Sequence, residues 1–191
     1  MLNMLNEALL FLLDALFQPF AAVLLLRFHL QWLRAPMRNP LGEFIMALTD
    51  FLVLRARRFI PAAKGFDTAS LLLAFVVEAI YLVALLWAQG FPFVVLPLPG
   101  LLAWTVVKLL KLSLYLLMAA LFAQALLSWV NPYTPVAGLL NAITRPFLIP
   151  LQRRIPPLGN IDLSLLVLLI VCQLILIVPL GWLENLAARL L

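Results

Sequence analysis

The sequence predicts an all-α membrane protein, on the basis of three observations. Hydrophobic residues make up 66% of the 191-residue chain and charged residues only 11%, whereas soluble domains average about 45–50% and about 25%. Four apolar stretches are long enough to cross about 30 Å of hydrocarbon, which takes about 20 residues. A basic, proline-containing motif also occurs twice at a nearly constant spacing. These features predict four transmembrane helices in two tandem repeats of the same orientation, each with a cytoplasmic amphipathic interfacial helix.

The duplicated motif defines the two repeats. Like residues are separated by 95 positions at Pro40 and Pro135, Thr49 and Thr144, Arg58 and Arg153, Pro61 and Pro156, and Asp67 and Asp162. An internal duplication fixes the architecture, and we place the repeats at residues 1–95 and 96–191. Each repeat holds two spans, so both share one orientation, and a pseudo-twofold axis along the membrane normal is expected.

The four predicted spans follow the apolar stretches in order. They run from about Ala8 to Leu26, Ala69 to Ala88, Leu101 to Val130 and Leu163 to Leu183. The start of the chain lacks the basic region and the small-residue cleavage site of a signal peptide. We therefore expect the first span to be retained as a helix.

The distribution of Lys and Arg predicts the orientation of the spans. The connections within each repeat are rich in arginine, whereas the connection from Gln89 to Gly100 has no Lys or Arg. Cytoplasmic loops carry the excess of basic residues, and tryptophan is typical of the membrane interface, as at Trp32 and Trp129. Both basic connections are therefore expected in the cytoplasm, and both termini on the periplasmic side.

Each basic connection also contains a predicted amphipathic helix. Apolar residues recur at the spacing of one helical face, at Leu41, Phe44, Ile45, Leu48 and Leu52, and again at Val136, Leu139, Leu140, Ile143 and Phe147. These helices are too short to span and are expected to lie in the interface. Pro146 and Pro150 are expected to stop the second one, since proline removes an amide donor and clashes one turn back.

Two arginine pairs follow these helices, Arg57-Arg58 in the first repeat and Arg153-Arg154 in the second. Such pairs are typical of topological anchors that contact lipid phosphates, at about 1 kcal/mol for each charge near an anionic surface. The alternative interpretation is a docking site for a cytosolic partner or a specific lipid.

Four charged residues lie inside the predicted spans: Asp14, Glu78, Lys108 and Lys111. A charge at mid-bilayer costs about 2.5–3.5 kcal/mol on insertion scales and indicates a functional site by default. Asp14 and Lys111 are 97 positions apart, as are Trp32 and Trp129, so we expect the two charges at a similar depth. A buried Asp14–Lys111 or Glu78–Lys111 pair is therefore predicted.

Three interpretations of these charges remain open. In the first, they hold the helices together with Gln124 and Gln173, the latter 95 positions from Glu78. In the second, they line a path for ions or protons along the pseudo-axis. In the third, Lys108 and Lys111 reach out of the hydrocarbon to water.

The sequence offers no catalytic, cofactor-binding or metal-binding set. His29 is the only histidine and Cys172 the only cysteine, so one chain cannot form a two-histidine haem site, a CxxC metal pair or a disulfide. Cys172 is expected to be a small apolar packing residue. We therefore expect a protein that is not an enzyme and binds neither a cofactor nor nucleic acid. A cofactor-bearing subunit would need ligands from a partner chain.

The second repeat contains Trp129, Asn131-Pro132, Thr144-Arg145-Pro146, Arg153-Arg154, Ile155-Pro156 and Gly159-Asn160-Ile161-Asp162. This motif resembles that of the YggT family. The first repeat departs from it at two positions, because Phe51 stands in place of the proline and Lys64 in place of the glycine. A two-copy chain of this length is similar to the proteobacterial inner-membrane branch of the family.

The resemblance implies a multi-pass protein of the bacterial inner membrane. Relatives are linked to osmotic-stress tolerance and ion homeostasis, to cell division and nucleoid organisation, and in plastids to maturation of a b-type cytochrome. None of these is a catalytic activity. We expect a scaffold or assembly factor whose partners are membrane lipids, a membrane or cytosolic protein, or a second copy of the chain. A small ion channel that uses the four intramembrane charges is the alternative.

Overall fold

The described part of the chain consists of α-helices joined by turns and short connections. A computed structural model describes residues 2–60, 66–92, 97–131, 133–155 and 163–191. The helices are α1 (Leu2–Trp32), α2 (Pro40–Ala56), α3 (Thr68–Ala88), α4 (Leu98–Val130), α5 (Pro135–Gln152), α6 (Leu163–Ile177) and α7 (Pro179–Ala188). The predicted all-α class is confirmed.

Part of the duplicated motif lies outside the described residues. This part comprises Pro61 and Lys64 of the first repeat, and Pro132, Pro156 and the segment from Gly159 to Asp162 of the second. The expectations for these residues stay predictions.

Four segments are long and apolar enough to cross a membrane: Met4–Trp32, Thr68–Ala88, Leu98–Val130 and Leu163–Ala188. They confirm the number and the places of the predicted spans. The first continues through Pro19 beyond its predicted end, and the last is broken at Val178, between α6 and α7. Proline removes one amide donor, and a membrane helix tolerates this where neighbouring groups satisfy the freed carbonyl.

Helix α2 begins at a side-chain cap and packs closely on the preceding turn. The Gly42 backbone N–H donates a hydrogen bond to the Asn39 side-chain oxygen at 2.9 Å, which satisfies one free amide of the first turn. A Cβ at Gly42 would lie 2.2 Å from the Met37 carbonyl oxygen, so only glycine fits there. The buried residues of α2 recur every three or four positions, at Gly42, Ile45, Thr49 and Val53.

Helix α5 shows that the expected stop at Pro146 and Pro150 is wrong, because the helix continues to Gln152. The two prolines are exposed and lie four residues apart, so both missing amide donors fall on one face of the helix. The other face keeps its hydrogen bonds, and the fixed φ of proline is itself compatible with a helix. The helix therefore carries both prolines without ending.

Helix α1 ends in a left-handed cap at Arg34, whose φ is 51°. The Ala35 N–H donates to the Leu30 carbonyl at 2.8 Å, and the Arg34 N–H donates to the Gln31 carbonyl at 3.1 Å. This pair of bonds is a Schellman cap. It turns the chain from α1 toward α2.

Helix α4 is at the centre of the molecule, since it packs against α1, α3, α5, α6 and α7. Helices α1, α2 and α3 pack on one another in the first half, and α4 to α7 do so in the second. The contacts between the halves are not symmetric. Helix α3 packs against α4, whereas in the described ranges α6 does not pack against α1. A strict pseudo-twofold axis would require both contacts.

Candidate functional site

Two groups of polar residues lie among the apolar helices. The first, the arginine cluster, joins α1, α2 and α3 and consists of Arg27, Thr49, Asp50, Arg57, Asp67 and Ser70. The second, the intramembrane cluster, joins α1, α3, α4 and α7 and consists of Asp14, Gln18, Glu78, Tyr81, Trp104, Lys108, Lys111 and Glu184.

Arg27 is the centre of the arginine cluster, and it is only 3% exposed. Its Nη1 donates to the Thr49 hydroxyl at 2.6 Å and to the Asp50 carboxylate at 2.7 Å. Its Nε lies 3.7 Å from the Asp67 carboxylate. A buried arginine is tolerated only where carboxylates and hydrogen bonds compensate its charge. Here that compensation fixes α2 and α3 against α1.

Asp67 caps α3 and binds Arg57. The Nε and Nη2 of Arg57 donate to the two carboxylate oxygens at 3.3 and 2.8 Å, which is the bidentate geometry of strong ion pairs. The N–H and hydroxyl of Ser70 donate to the same carboxylate. Burial alone would raise the pKa of Asp67, but the hydrogen bonds from Arg57 and Ser70 outweigh it and hold that pKa below its usual value.

The predicted interfacial arginines fall into two classes, according to whether a carboxylate of the protein compensates their charge. Arg57 and Asp67 are brought together, so the charge of Arg57 is compensated within the protein. Arg58, Arg153 and Arg154 are exposed and form no ion pair with any described residue. The charge of the latter three is therefore not compensated by any residue in the described ranges.

A corresponding contact occurs in the second half. The Thr144 hydroxyl donates a hydrogen bond to the side-chain amide oxygen of Gln124. Thr144 lies 95 positions after Thr49, and Gln124 lies 97 positions after Arg27. In each half the amphipathic helix is thus held to the preceding long helix through a buried threonine. The second contact is uncharged.

The remaining interfacial residues of the predicted motif lie on the surface. Trp32, Trp129 and Pro146 are all exposed, and Trp129 is the more exposed of the two tryptophans. None of them belongs to either polar cluster.

The intramembrane cluster begins with two contacts between α1 and α3. The Tyr81 hydroxyl donates to the Asp14 carboxylate. One turn away, the Gln18 amide donates to Glu78 Oε1 at 3.2 Å. Glu78 is only 1% exposed, and its Oε2 has no hydrogen-bond partner among the described residues. A buried carboxylate with an unpaired oxygen is costly when it is ionised.

The other part of the cluster joins α4 to α7 through Glu184. Lys111 pairs with one oxygen of its carboxylate, and the Lys108 Nζ lies 3.6 Å from the other. The Trp104 indole N–H donates to Glu184 at 3.2 Å. The two lysines are one turn apart on α4, so a single carboxylate on α7 serves both.

The predicted Asp14–Lys111 and Glu78–Lys111 pairs are not formed, since Lys111 pairs with Glu184 instead. The prediction ended the last span at Leu183 and so left out the carboxylate that follows it. Lys108 and Lys111 are only partly exposed and are bound to protein. That the two lysines also reach out of the hydrocarbon to water stays a prediction.

Three other residues of interest lie apart from both clusters. Gln173 is exposed on α6, and the neighbouring Cys172 is buried. His29 donates from Nδ1 to the Leu25 carbonyl at 2.6 Å. Among the described residues, no group of three or more His, Cys, Asp or Glu side chains is placed to hold a metal ion.

An apolar groove of about 770 Å³ runs between α1, α3 and α4. Its walls include Phe28, His29, Phe66, Phe75 and Leu109. A groove with such walls suits a hydrocarbon chain better than a polar substrate.

Arg27 and Glu184 are the charged residues on which the two clusters depend most, and neither was predicted from the sequence. In the sequence Arg27 is one of several arginines at or near the first basic connection, and nothing local distinguishes it. Its separation of 97 positions from Gln124 was the signal that could have singled it out. For Glu184, the signal was the need of two intramembrane lysines for a carboxylate.

The comparisons with known proteins agree on one family. The sequence model of the CCB3/YggT family matches residues 6–88 and 103–183. The chain is 36% identical over 165 residues to "Uncharacterized protein PA0392" of Pseudomonas aeruginosa, covering 84% of this chain and 82% of that protein. It is 32% identical over 170 residues to "Uncharacterized protein YggT" of Escherichia coli, covering 88% and 87%. No solved structure matches.

Proposed function

Because this chain belongs to the CCB3/YggT family, we propose that it is a non-enzymatic scaffold or assembly factor of the bacterial inner membrane. It presents two basic amphipathic segments, α2 and α5 with the arginines that follow them, to lipid and to a membrane or cytosolic protein. Both segments lie on the cytoplasmic side, and both termini lie in the periplasm.

The main support for this proposal is a set of exposed arginines for which the described residues offer no ion pair. Arg58, Arg153 and Arg154 are exposed and form no ion pair with any residue in the described ranges. The lysines of the intramembrane cluster, by contrast, share a carboxylate of the same chain. Available positive charge is thus concentrated at the ends of α2 and α5, where an anionic membrane surface or an acidic partner would meet it.

The amphipathic character of α2 supports its place in the interface. Thr49 and Val53 are buried against the protein, whereas Phe44, Phe51 and Leu54 are exposed. An apolar surface beside arginines is typical of a helix that lies in the headgroup region. On α5, the exposed Phe147 has the same role.

Two observations support repeats of the same orientation, at residues 1–95 and 96–191. The family model matches one segment in each half. The contacts Arg27–Thr49 and Gln124–Thr144 also correspond in the two halves. Cysteine labelling tests the orientation: in a Cys172→Ala background, Arg58→Cys and Arg153→Cys should react with a membrane-impermeant reagent from the same side. Labelling from opposite sides would contradict the topology.

Crosslinking and co-purification from native membranes test the scaffold role. We expect the chain to recover a reproducible protein partner, and Arg58→Gln with Arg153→Gln to lose it. Arg189→Gln, at the end of α7, removes one charge from a segment outside the basic connections and should leave recovery unchanged. Recovery of lipid alone would refute the scaffold role. A deletion strain rescued by the same variants tests the link to osmotic tolerance.

Ion conduction is the second candidate, and it is favoured by the buried Glu78 Oε2, for which the described residues offer no hydrogen-bond partner. The other oxygen of the same carboxylate accepts a hydrogen bond from the Gln18 amide, and Glu78 lies within the second apolar span. Flux of potassium or protons into proteoliposomes measures conduction directly. Unchanged flux in Glu78→Gln and Lys111→Met would exclude it.

A further inference from the structure

Gln173 lies on the exposed surface of α6, within the segment long and apolar enough to span a membrane. Its side chain forms no hydrogen bond with any described residue. Hydrocarbon offers no donor or acceptor to such an amide, so exposure to lipid leaves it unsatisfied. Polar side chains in membrane helices are usually satisfied by another helix. The amide therefore indicates that something covers this face of α6.

The first half shows what covers the corresponding face. Glu78 lies 95 positions before Gln173, and Leu82 lies 95 positions before Ile177. Leu82 is 0% exposed, whereas Ile177 is 61% exposed. In the first half this face packs both against α1, whose Gln18 binds Glu78, and against α4, the first helix of the following half. In the second half α6 does not pack against α1 within the described ranges, and the face stays open.

The helix that corresponds to α4 is α1, and its matching surface is also open. On α4, Leu101 belongs to the same apolar cluster as Leu82, and Lys108 lies two turns further along the same face of the helix. The residues 97 positions earlier are Met4 and Phe11, which are 73% and 70% exposed. One chain thus has two complementary surfaces, on α1 and on α6, that do not contact each other within the described part of that chain.

We propose that chains associate head to tail in the membrane, with α1 of one copy packed against the exposed face of α6 of the next. Phe11 of one copy then lies beside Gln173 of the other, and the exposed Glu7 carboxylate, one turn before Phe11 on α1, is placed to accept a hydrogen bond from the Gln173 amide. A groove of about 540 Å³, bounded by Phe122 and Ile170 beside Gln173, receives the incoming side chains. Such a heterologous contact produces a ring if its rotation closes and an open row if it does not. The inference rests on the repeat relationship proposed above.

Cysteine crosslinking in native membranes tests the contact. In a Cys172→Ala background, Phe11→Cys with Gln173→Cys should give a ladder of dimers, trimers and larger species with a short bis-maleimide. Each single variant should stay a monomer. Trp87→Cys with Gln173→Cys is the matched control, since Trp87 is 69% exposed on α3 but does not lie on α1, and it should give no ladder.

Two outcomes would overturn the proposal. Monomers alone from the Phe11→Cys, Gln173→Cys chain would exclude the contact. A dimer from Gln173→Cys alone would indicate a symmetric interface rather than a head-to-tail one. The labelling of Arg58→Cys and Arg153→Cys is scored separately, so same-side labelling without a ladder would reject this contact and leave the proposed topology standing. Gln173→Leu should lower association of the otherwise unmodified chain in nanodiscs about tenfold.

Discussion

The Nε of Arg27 lies 3.7 Å from the Asp67 carboxylate, and both side chains are almost fully buried. Arg27 belongs to α1 and Asp67 caps α3, so this contact joins the first and the last helix of the first half. Arg57 and Asp50 complete the charge balance with two further ion pairs. The cluster is thus a structural contact that fixes the fold, which distinguishes its arginines from the exposed ones beside it.

Replacement of Asp67 by asparagine should destabilise the protein strongly. The variant Asp67→Asn leaves Arg27 and Arg57 with one carboxylate between them, and removal of one partner from a buried pair costs about 3 kcal/mol or more. Asp50→Asn is the matched control, because Asp50 binds the same arginine but is 41% exposed, and it should cost less than about 1 kcal/mol. Reversible unfolding in detergent measures both, and equal losses would contradict the assigned roles.

The contribution of Asp67 should depend on pH in one direction. The pKa of its carboxyl is lowered in the folded state from a usual value of 3.8. Its stabilisation is therefore present above pH 3.8 and is lost as the pH falls through the lower, folded-state pKa. The difference in unfolding free energy between the natural chain and Asp67→Asn should be constant near neutral pH and shrink at strongly acidic pH. A difference that grows on acidification would refute this assignment.

Two Glu→Gln substitutions in the membrane should differ in effect. Glu78→Gln keeps a hydrogen-bonding partner for Gln18 and removes a charge that no described side chain pairs at contact distance, so the unfolding free energy should change by less than about 1 kcal/mol. Glu184→Gln leaves Lys108 and Lys111 without their shared carboxylate and should cost about 2–3 kcal/mol. Unfolding titrations of both variants in one detergent provide the comparison. A larger loss for Glu78→Gln would show that its ionised form is required.

Two glycines in the short amphipathic helices should also differ. In Gly42→Ala the new Cβ would lie 2.2 Å from the Met37 carbonyl oxygen, and because backbone cannot yield as a side chain does, we expect a loss of about 2 kcal/mol. In Gly138→Ala the nearest atom is the Pro36 Cγ at 3.9 Å. That variant should gain about 0.5–1 kcal/mol from helix propensity. Thermal unfolding of the pair checks the sign of each change.

The four long helices could be predicted because each contains enough apolar residues to cross a bilayer, and no soluble fold would tolerate them. Their ends could not be predicted as well, since the effect of a proline depends on its surroundings. Pro19, Pro146 and Pro150 all lie within helices, whereas Pro179 follows a break. The sequence alone does not tell which freed carbonyls find another partner.

The members of the intramembrane cluster could be predicted in part. Asp14, Glu78, Lys108 and Lys111 are conspicuous because charges are rare in such spans. Their partners are less so, since Gln18, Tyr81 and Trp104 are ordinary residues until two helices meet. Arg27 resembled one more basic residue at a helix end, and only the folding of α2 over α1 buries it.

The position of Glu184 on the last helix has a consequence for biogenesis. Helix α7 holds Glu184, whose carboxylate pairs with Lys111 and lies 73 residues downstream of it in the sequence. At about 5–20 residues per second, a ribosome needs about 4–15 s to supply it. During that time the lysines of α4 have no neutralising partner in the nascent chain and must be kept in an aqueous or translocon-bound environment. We therefore expect the third span to enter lipid only after the last helix has been made.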